Sequence, residues 1–286
     1  MRFFLEWADV ALILAGAVWL TAWLVRWQTA GGGDPLRDAP RRPNRMSALL
    51  LWFCLLGYLV GGGLGRLVTD RFVPETLPEN VQEAWQGVLG AVSVWIVVLT
   101  ACLIVARVAF VDGWRGWGLR IRSVRSESAW VLGGWLAGTS LAGMVAWLAL
   151  FVIDAFWPEM EQPSHGVFVA LSAPEAGIAI RVVTVLSAAI VAPLGEELFF
   201  RGILQTTLVK VFSARPGSRY HRWWAIGVAG TLFGLMHYTT PQYIPPLIVL
   251  GMVLGYLYER RGSLVTPVFV HMLFNVKSLL WYALQF

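Results

Sequence analysis

About eight stretches of this chain are long and apolar enough to cross a lipid bilayer. A spanning helix needs about 20 predominantly apolar residues, and in lipid only helices or closed barrels satisfy every backbone hydrogen bond. The pattern therefore predicts an all-α fold, a polytopic transmembrane helical bundle of about eight spans. The predicted spans are 9–26, 46–65, 86–107, 129–153, 178–200, 223–239, 243–258 and 262–284.

The composition agrees with a membrane protein. Hydrophobic residues make up 57% of the chain and charged residues 14%, whereas a soluble domain is about 45–50% apolar and about 25% charged. The sixteen tryptophans suit two interfacial belts at the bilayer surfaces. The chain is basic overall, but its basic residues lie in short loops between apolar spans. We therefore predict a lipid bilayer as its environment and no nucleic-acid partner.

The basic residues are confined to alternate connections. We call 26–45, 106–128, 201–222 and 259–262 the basic loops. They carry five, five, five and two Lys or Arg, seventeen of the 22 in the chain, whereas 66–85 carries two and 154–177 none. The positive-inside rule then predicts a multi-pass cell-membrane protein with cytoplasmic basic loops and both termini on the non-cytoplasmic side. The Gly-, Pro- and Arg-rich residues 28–45 are predicted to form a linker.

Three short motifs in the last third of the chain place ionisable residues inside apolar segments. Such residues are costly in a bilayer, normally pair with one another, and mark functional sites. The motifs are Glu196-Glu197-x-x-x-Arg201, Phe233-x-x-x-His237 and His271-x-x-x-Asn275. The candidate catalytic residues are Glu196, Glu197, Arg201, His237, His271 and Asn275.

The spacing within the motifs suggests hydrolytic chemistry. Glu197 and Arg201 are four residues apart, so on a helix they share a face and can pair. Glu196 points about a quarter-turn away, where a carboxylate beside a water can act as a general base.

The histidine motifs supply the remaining groups. Phe233 and His237 are four residues apart, so on a helix the phenyl ring can brace the imidazole. His271 and Asn275 have the same spacing and share a helical face, so together they could stabilise an oxyanion that develops on an attacked carbonyl. The motifs thus offer a general base, an assisting imidazole and a pair that can polarise a carbonyl. These are the groups that the addition of water to an amide requires.

The depth of these groups in the bilayer predicts one long helix. At about 1.5 Å per residue, Glu196 would lie only about 6 Å deep if its helix ended at Phe200, too shallow to meet either histidine. The pattern continues through 203–209, and this stretch meets no helix breaker before Pro216. We therefore predict a helix from about 178 to 212, with Pro193 kinking it just before the carboxylates.

The three motifs, intact and in this order, resemble the signature motifs of the CPBP family, the CAAX proteases and bacteriocin-processing enzymes, also called Abi, which includes type II CAAX prenyl endopeptidases. The resemblance divides the chain into residues 1–170, four unmatched N-terminal transmembrane helices, and a catalytic core of four spans at 178–286. It implies an intramembrane endopeptidase acting on a membrane protein or peptide, with its site reachable from the cytoplasmic side and the membrane.

The resemblance also implies a role for each motif. Glu196 would activate water, with Glu197 and Arg201 ordering the site. His237 would assist the nucleophile or the proton transfer, and His271 with Asn275 would form the oxyanion site.

Three of the candidate residues could also bind a zinc ion. Glu196, His237 and His271 would supply the two imidazoles and one carboxylate of a catalytic zinc site. The chain lacks His-Glu-x-x-His, and the guanidinium of Arg201 repels a dication. We predict no cofactor, with zinc at these three residues as the less favoured alternative.

Two other function classes fit the same pattern. A catalytically silent membrane scaffold or chaperone would keep the polar cluster for helix packing, since intramembrane polar residues also hold helices together. A small proton-coupled transporter would use the buried Glu and His pairs, although the chain shows no matched pair of interrupted helices in its two halves.

Overall fold

A computed structural model of the protein describes residues 2–119, 121, 123–160, 162–163, 166–172, 177–214 and 219–284. Among these residues the fold is all-helical, with nine helices and a single isolated β-bridge between Asn44 and Phe110. The predicted all-α class is confirmed. The helices are α1 Arg2–Thr29, α2 Ala48–Phe72, α3 Glu79–Ala109, α4 Val124–Phe156, α5 Gly166–Ser172, α6 Ile178–Ser213, α7 His221–Leu235, α8 Ile244–Arg261 and α9 Val265–Ala283.

Five of the nine helices in the described part of the chain are long and apolar enough to cross a membrane. They are α1, α2, α3, α4 and α6. The multi-pass architecture is therefore supported, but the predicted count of eight is not confirmed. The last three predicted spans fall on α7, α8 and α9, which have 15, 18 and 19 residues. Charged residues shorten their apolar stretches, for example at the end of α8, where Arg260 and Arg261 occupy the last turn.

Helix α6 is the long helix that the depth argument predicts. It runs without a break for 36 residues, about 54 Å at 1.5 Å per residue. Glu196 and Glu197 lie at its midpoint. The helix widens to π-type hydrogen bonding at Ser187–Val191 and again at Leu198–Gln205. Such widened turns often occur at functional sites.

The N-terminal helices pack directly on the C-terminal ones. Helix α4 contacts α1, α8 and α9, and α3 contacts both α2 and α6. The α2–α3 pair is close enough to require glycine, since a Cβ at Gly65 would lie 2.6 Å from the Cα of Gly90. Residues 1–170 therefore help to enclose the C-terminal helices, and the predicted division into two regions stays a prediction.

The predicted linker is a packed segment. Leu36 and Ala39 are buried, and the guanidinium of Arg42 lies 3.7 Å from the centroid of the Tyr258 ring. Just after this segment, Lys210 donates a hydrogen bond of 2.8 Å to the Met46 carbonyl. Residues 28–45 thus connect α1 to α2 as predicted, and stacking and ion pairing also hold part of the segment against the bundle.

Candidate active site

His271 on α9 connects the two adjacent carboxylates of α6. Its Nδ1 lies 3.0 Å from Glu197 Oε1, and its Nε2 lies 3.6 Å from Glu196 Oε2. Residues far apart in the chain therefore meet, as the depth argument requires. Both ring nitrogens of His271 face carboxylates, so its orientation is set from two sides.

Glu197 and Arg201 form the intrahelical pair that their spacing predicts. Arg201 Nη1 donates to Glu197 Oε1 at 2.9 Å, and its Nη2 donates to the Gly251 carbonyl of α8 at 2.9 Å. The exposed fractions of the two side chains are 0% and 1%. A pair this deeply buried cannot contact substrate. It lies behind His271 and can only position it.

His237 lies just beyond α7, which ends at Leu235. The predicted span 223–239 is therefore too long, because the chain turns at 236–240. His237 Nδ1 lies 3.1 Å from the Phe233 carbonyl. The Phe233 ring contacts the rings of both His237 and His271, with centroids 5.4 and 5.6 Å apart. The phenyl ring thus braces His237, as its spacing suggests, and also contacts His271.

Asn275 is oriented by a gap in the hydrogen bonding of α6. The Ala192 N–H bonds to the Ser187 carbonyl in the π-type turn, and Pro193, next in the chain, has no N–H. The Ala188 carbonyl is therefore left for Asn275, whose Nδ2 donates to it at 2.9 Å. One amide hydrogen of Asn275 is used in this bond, and the other stays available.

Four of the six predicted site residues line a single cavity of about 640 Å³. They are Glu196, His237, His271 and Asn275. Glu196 keeps 15% of its side chain exposed, so it is the carboxylate of the adjacent pair that faces the open space. Glu197 and Arg201 do not line the cavity. The structure therefore separates the six residues into a group that can contact substrate and a buried pair that supports it.

The cavity also contains an ion pair to which the motif analysis assigned no role. Lys277 Nζ lies 2.5 Å from Asp9 Oδ1, and both residues line the cavity. The available signal was a lone lysine in an otherwise apolar helix, six residues after His271. Its partner could not be identified from sequence, since Asp9 lies at the other end of the chain.

Among the described residues, no group of three His, Cys, Asp or Glu side chains is placed to hold a metal ion. His271 Nδ1 faces Glu197, and His237 Nδ1 faces the Phe233 carbonyl. The absence of a cofactor stays a prediction.

The cavity lies at the end of the bundle away from the basic loops. Helix α8 lines the cavity near its start, at Pro246 and Leu247, and reaches the basic loops at its end, where Glu259 pairs with Arg222. Helix α9 runs the other way, from Thr266 beside Glu127 to Lys277. The cavity and the basic loops therefore occupy opposite ends of the molecule.

Comparison with known proteins identifies one related family. Residues 178–277, about a third of the chain, match the family model described as type II CAAX prenyl endopeptidase Rce1-like. The matched segment contains all three motifs and confirms the resemblance drawn from them. No curated protein and no solved structure matches the chain. The match suggests a membrane-embedded protease of the CAAX type.

Proposed function

We propose that this protein is an intramembrane endopeptidase in which Glu196 activates the water that hydrolyses a peptide bond of a membrane-associated protein or peptide. The observation that carries the proposal is the cavity, which the carboxylate of Glu196, two imidazoles and an amide line together among apolar helices. The family match over residues 178–277 supports the same reaction class.

In the proposed reaction, Glu196 takes a proton from a water molecule whose oxygen attacks the substrate carbonyl. Asn275 directs its remaining amide hydrogen to the carbonyl oxygen as negative charge develops there. The proton held by Glu196 then passes to the leaving amine, assisted by His237. The C–N bond breaks, and the products are a carboxylate and an amine.

His271 has a different part in this scheme from the one the resemblance implies. Both of its nitrogens face carboxylates, so we assign it to hold Glu196 in place and to couple it to the buried Glu197–Arg201 pair. The oxyanion contact then rests on Asn275. Arg201 donates a hydrogen bond to the Gly251 carbonyl of α8. This bond fixes Arg201, and through it Glu197 and His271, relative to a second helix.

The two predictions about sidedness exclude each other once the cavity is located. Cytoplasmic basic loops place the cavity at the non-cytoplasmic face, whereas entry from the cytoplasm, which the resemblance implies, requires the reverse orientation. Apart from Arg201, which is buried within α6, sixteen of the 22 basic residues lie in the basic loops, a bias that sets orientation in membrane proteins. We therefore propose that the basic loops are cytoplasmic and that substrate enters from the opposite face or from the bilayer.

The proposal is tested with Glu196→Gln, which keeps the size of the side chain but removes the base. The wild type and the variant are expressed at matched membrane levels, and the termini of all membrane proteins are compared by mass spectrometry. We expect termini that arise only with the wild type and fall at least about 100-fold in the variant, the usual range for loss of a general base.

The exposed Glu83 provides a matched control, since Glu83→Gln makes the same chemical change on α3 outside the cavity. This variant should give the wild-type set of termini. Identical termini with wild type and Glu196→Gln at equal protein levels would contradict the proposal and favour a packing role for the polar cluster. Loss of the Glu196→Gln protein itself would show that Glu196 is structural.

A further inference from the structure

Lys277 is the only lysine or arginine among the described residues that line the cavity. Its ammonium pairs with Asp9 at 2.5 Å and lies 4.8 Å from the centroid of the Trp281 ring. A cation at this depth is costly unless it is paired. Lys277 nonetheless places a charge in the same cavity as the proposed catalytic groups.

The acidic member of this ion pair is accessible, unlike that of the Arg–carboxylate pairs among the described residues. The side chains of Lys277 and Asp9 are 19% and 32% exposed, whereas the carboxylates paired with arginine are at most 5% exposed. An ammonium has three hydrogen-bond donors, and Asp9 accepts from one of them. Another anion can therefore reach Lys277 and compete with Asp9.

The position of Lys277 fits the end of a bound peptide. It follows His271 by six residues on α9, about 9 Å along the helix axis at 1.5 Å per residue. An extended peptide covers that distance in a few residues at about 3.3–3.6 Å each. A chain whose scissile bond lies at Glu196 can thus place its terminus at Lys277.

We propose that Lys277 binds the free C-terminal carboxylate of the substrate and that Asp9 is the counter-ion which this carboxylate displaces. The inference rests on the proposed function and assigns a specificity-determining residue to it. A monoanion replaces Asp9 one for one as the partner of the ammonium, so Lys277 stays paired with a single negative charge. A phosphate dianion would instead place two negative charges beside one ammonium, in a cavity that already holds Glu196.

The test uses a library of quenched fluorescent apolar peptides made in two forms, as free acids and as C-terminal amides. The readout is the ratio of KM for an amide to KM for the matching acid. A hydrogen bond to a charged group is worth enough to change affinity by about 10- to 100-fold. We expect this ratio to fall about 10-fold or more in Lys277→Met and to persist in Lys277→Arg, which retains the charge.

Asp9→Asn provides a test in the opposite direction. Removal of the competing carboxylate should lower KM for the acids and raise the ratio above that of the wild type. A pair that only tied α1 to α9 would predict the same change for acids and amides in every variant, and that result would overturn the inference.

Failure of the proposed function is distinguished by measuring binding. If the wild type hydrolyses neither peptide form, binding of acids and amides to Glu196→Gln is compared by the ligand-induced shift in Tm. A shift that favours acids and disappears with Lys277→Met would support the carboxylate site alone. Equal shifts for the two forms would contradict the site as well.

Discussion

The two ends of the bundle both bury carboxylates beside arginines, but they satisfy them differently. At the basic end, Glu259 pairs with Arg42, lies 2.6 Å from Arg222 Nη1 and accepts a hydrogen bond of 3.1 Å from Gln205. At the cavity end, Glu196 faces the imidazole of His271, whose Nε2 lies 3.6 Å from Glu196 Oε2. A carboxylate whose lone pairs are all taken can only hold the structure together, whereas one with unused lone pairs can bind water.

A second cluster at the basic end follows the same rule. Glu127 of α4 pairs with Arg261 of α8 at 2.6 Å and accepts a hydrogen bond from Thr266 of α9. Three helices are thus joined through one carboxylate. The polar residues at this end hold the helices together. Polar groups at the cavity end can therefore lack some hydrogen-bond partners without loss of the fold.

The largest expected contrast is that the cavity end is reached by water from outside the cell, whereas the basic end is reached from the cytoplasm. Ser278→Cys places a thiol in the cavity, and Ser213→Cys places one at the exposed basic end of α6, both by a near-isosteric change. The native Cys54 and Cys102 are buried and give little background. On intact cells, a membrane-impermeant maleimide should label Ser278→Cys at once and Ser213→Cys only after permeabilisation.

Two other labelling patterns are informative. Labelling of both thiols from the same side would contradict the assignment of the cavity and the basic loops to opposite ends. The reverse pattern would leave the two ends opposite but would show that charge does not set the orientation of this chain, and that the cavity is entered from the cytoplasm.

The next largest effect is on stability at the basic end. Glu259→Gln leaves two largely buried arginines, Arg42 and Arg222, without their counter-ion, and breaking a buried ion pair costs about 3–5 kcal/mol. We expect a clear fall in Tm in detergent, whereas Glu196→Gln should melt close to the wild type. Similar losses of Tm for the two variants would mean that the carboxylates of both ends serve packing alike.

The smallest effect concerns the contact between Asn275 and α6. Asn275→Ala removes one hydrogen bond and should lower the free energy of unfolding by about 1 kcal/mol. Adding Pro193→Ala supplies a backbone N–H that can satisfy the Ala188 carbonyl, so the double variant should regain part of the loss. Chemical denaturation of the wild type, both single variants and the double variant measures the coupling. Strict additivity would show that Pro193 does not create the acceptor for Asn275.

The sequence allowed prediction of features that depend on local spacing. The length of α6 and the Glu197–Arg201 pair follow from helix geometry, and the convergence of three motifs follows from the cost of polar groups in lipid. The docking of Arg42 on Tyr258 and the pairing of Asp9 with Lys277 did not follow. Both join residues more than 200 positions apart, and the choice of such partners depends on how the helices pack.

The end of α7 shows a different limit. The apolar pattern continues past Leu235, so the sequence predicts that the helix includes His237. The structure instead turns the chain there and bonds His237 to the Phe233 carbonyl. Hydrophobicity alone does not predict where α7 ends, because a turn at the edge of a cavity can be as apolar as the helix before it.

The missing N–H of Pro193 has a consequence for how this chain can change over time. The proline creates the acceptor that orients Asn275, so a substitution at either position alters what is best at the other. We therefore expect residues 193 and 275, which lie on different helices, to covary among related chains. A proline is usually regarded as a constraint on its own helix, but here it constrains the choice of residue on another.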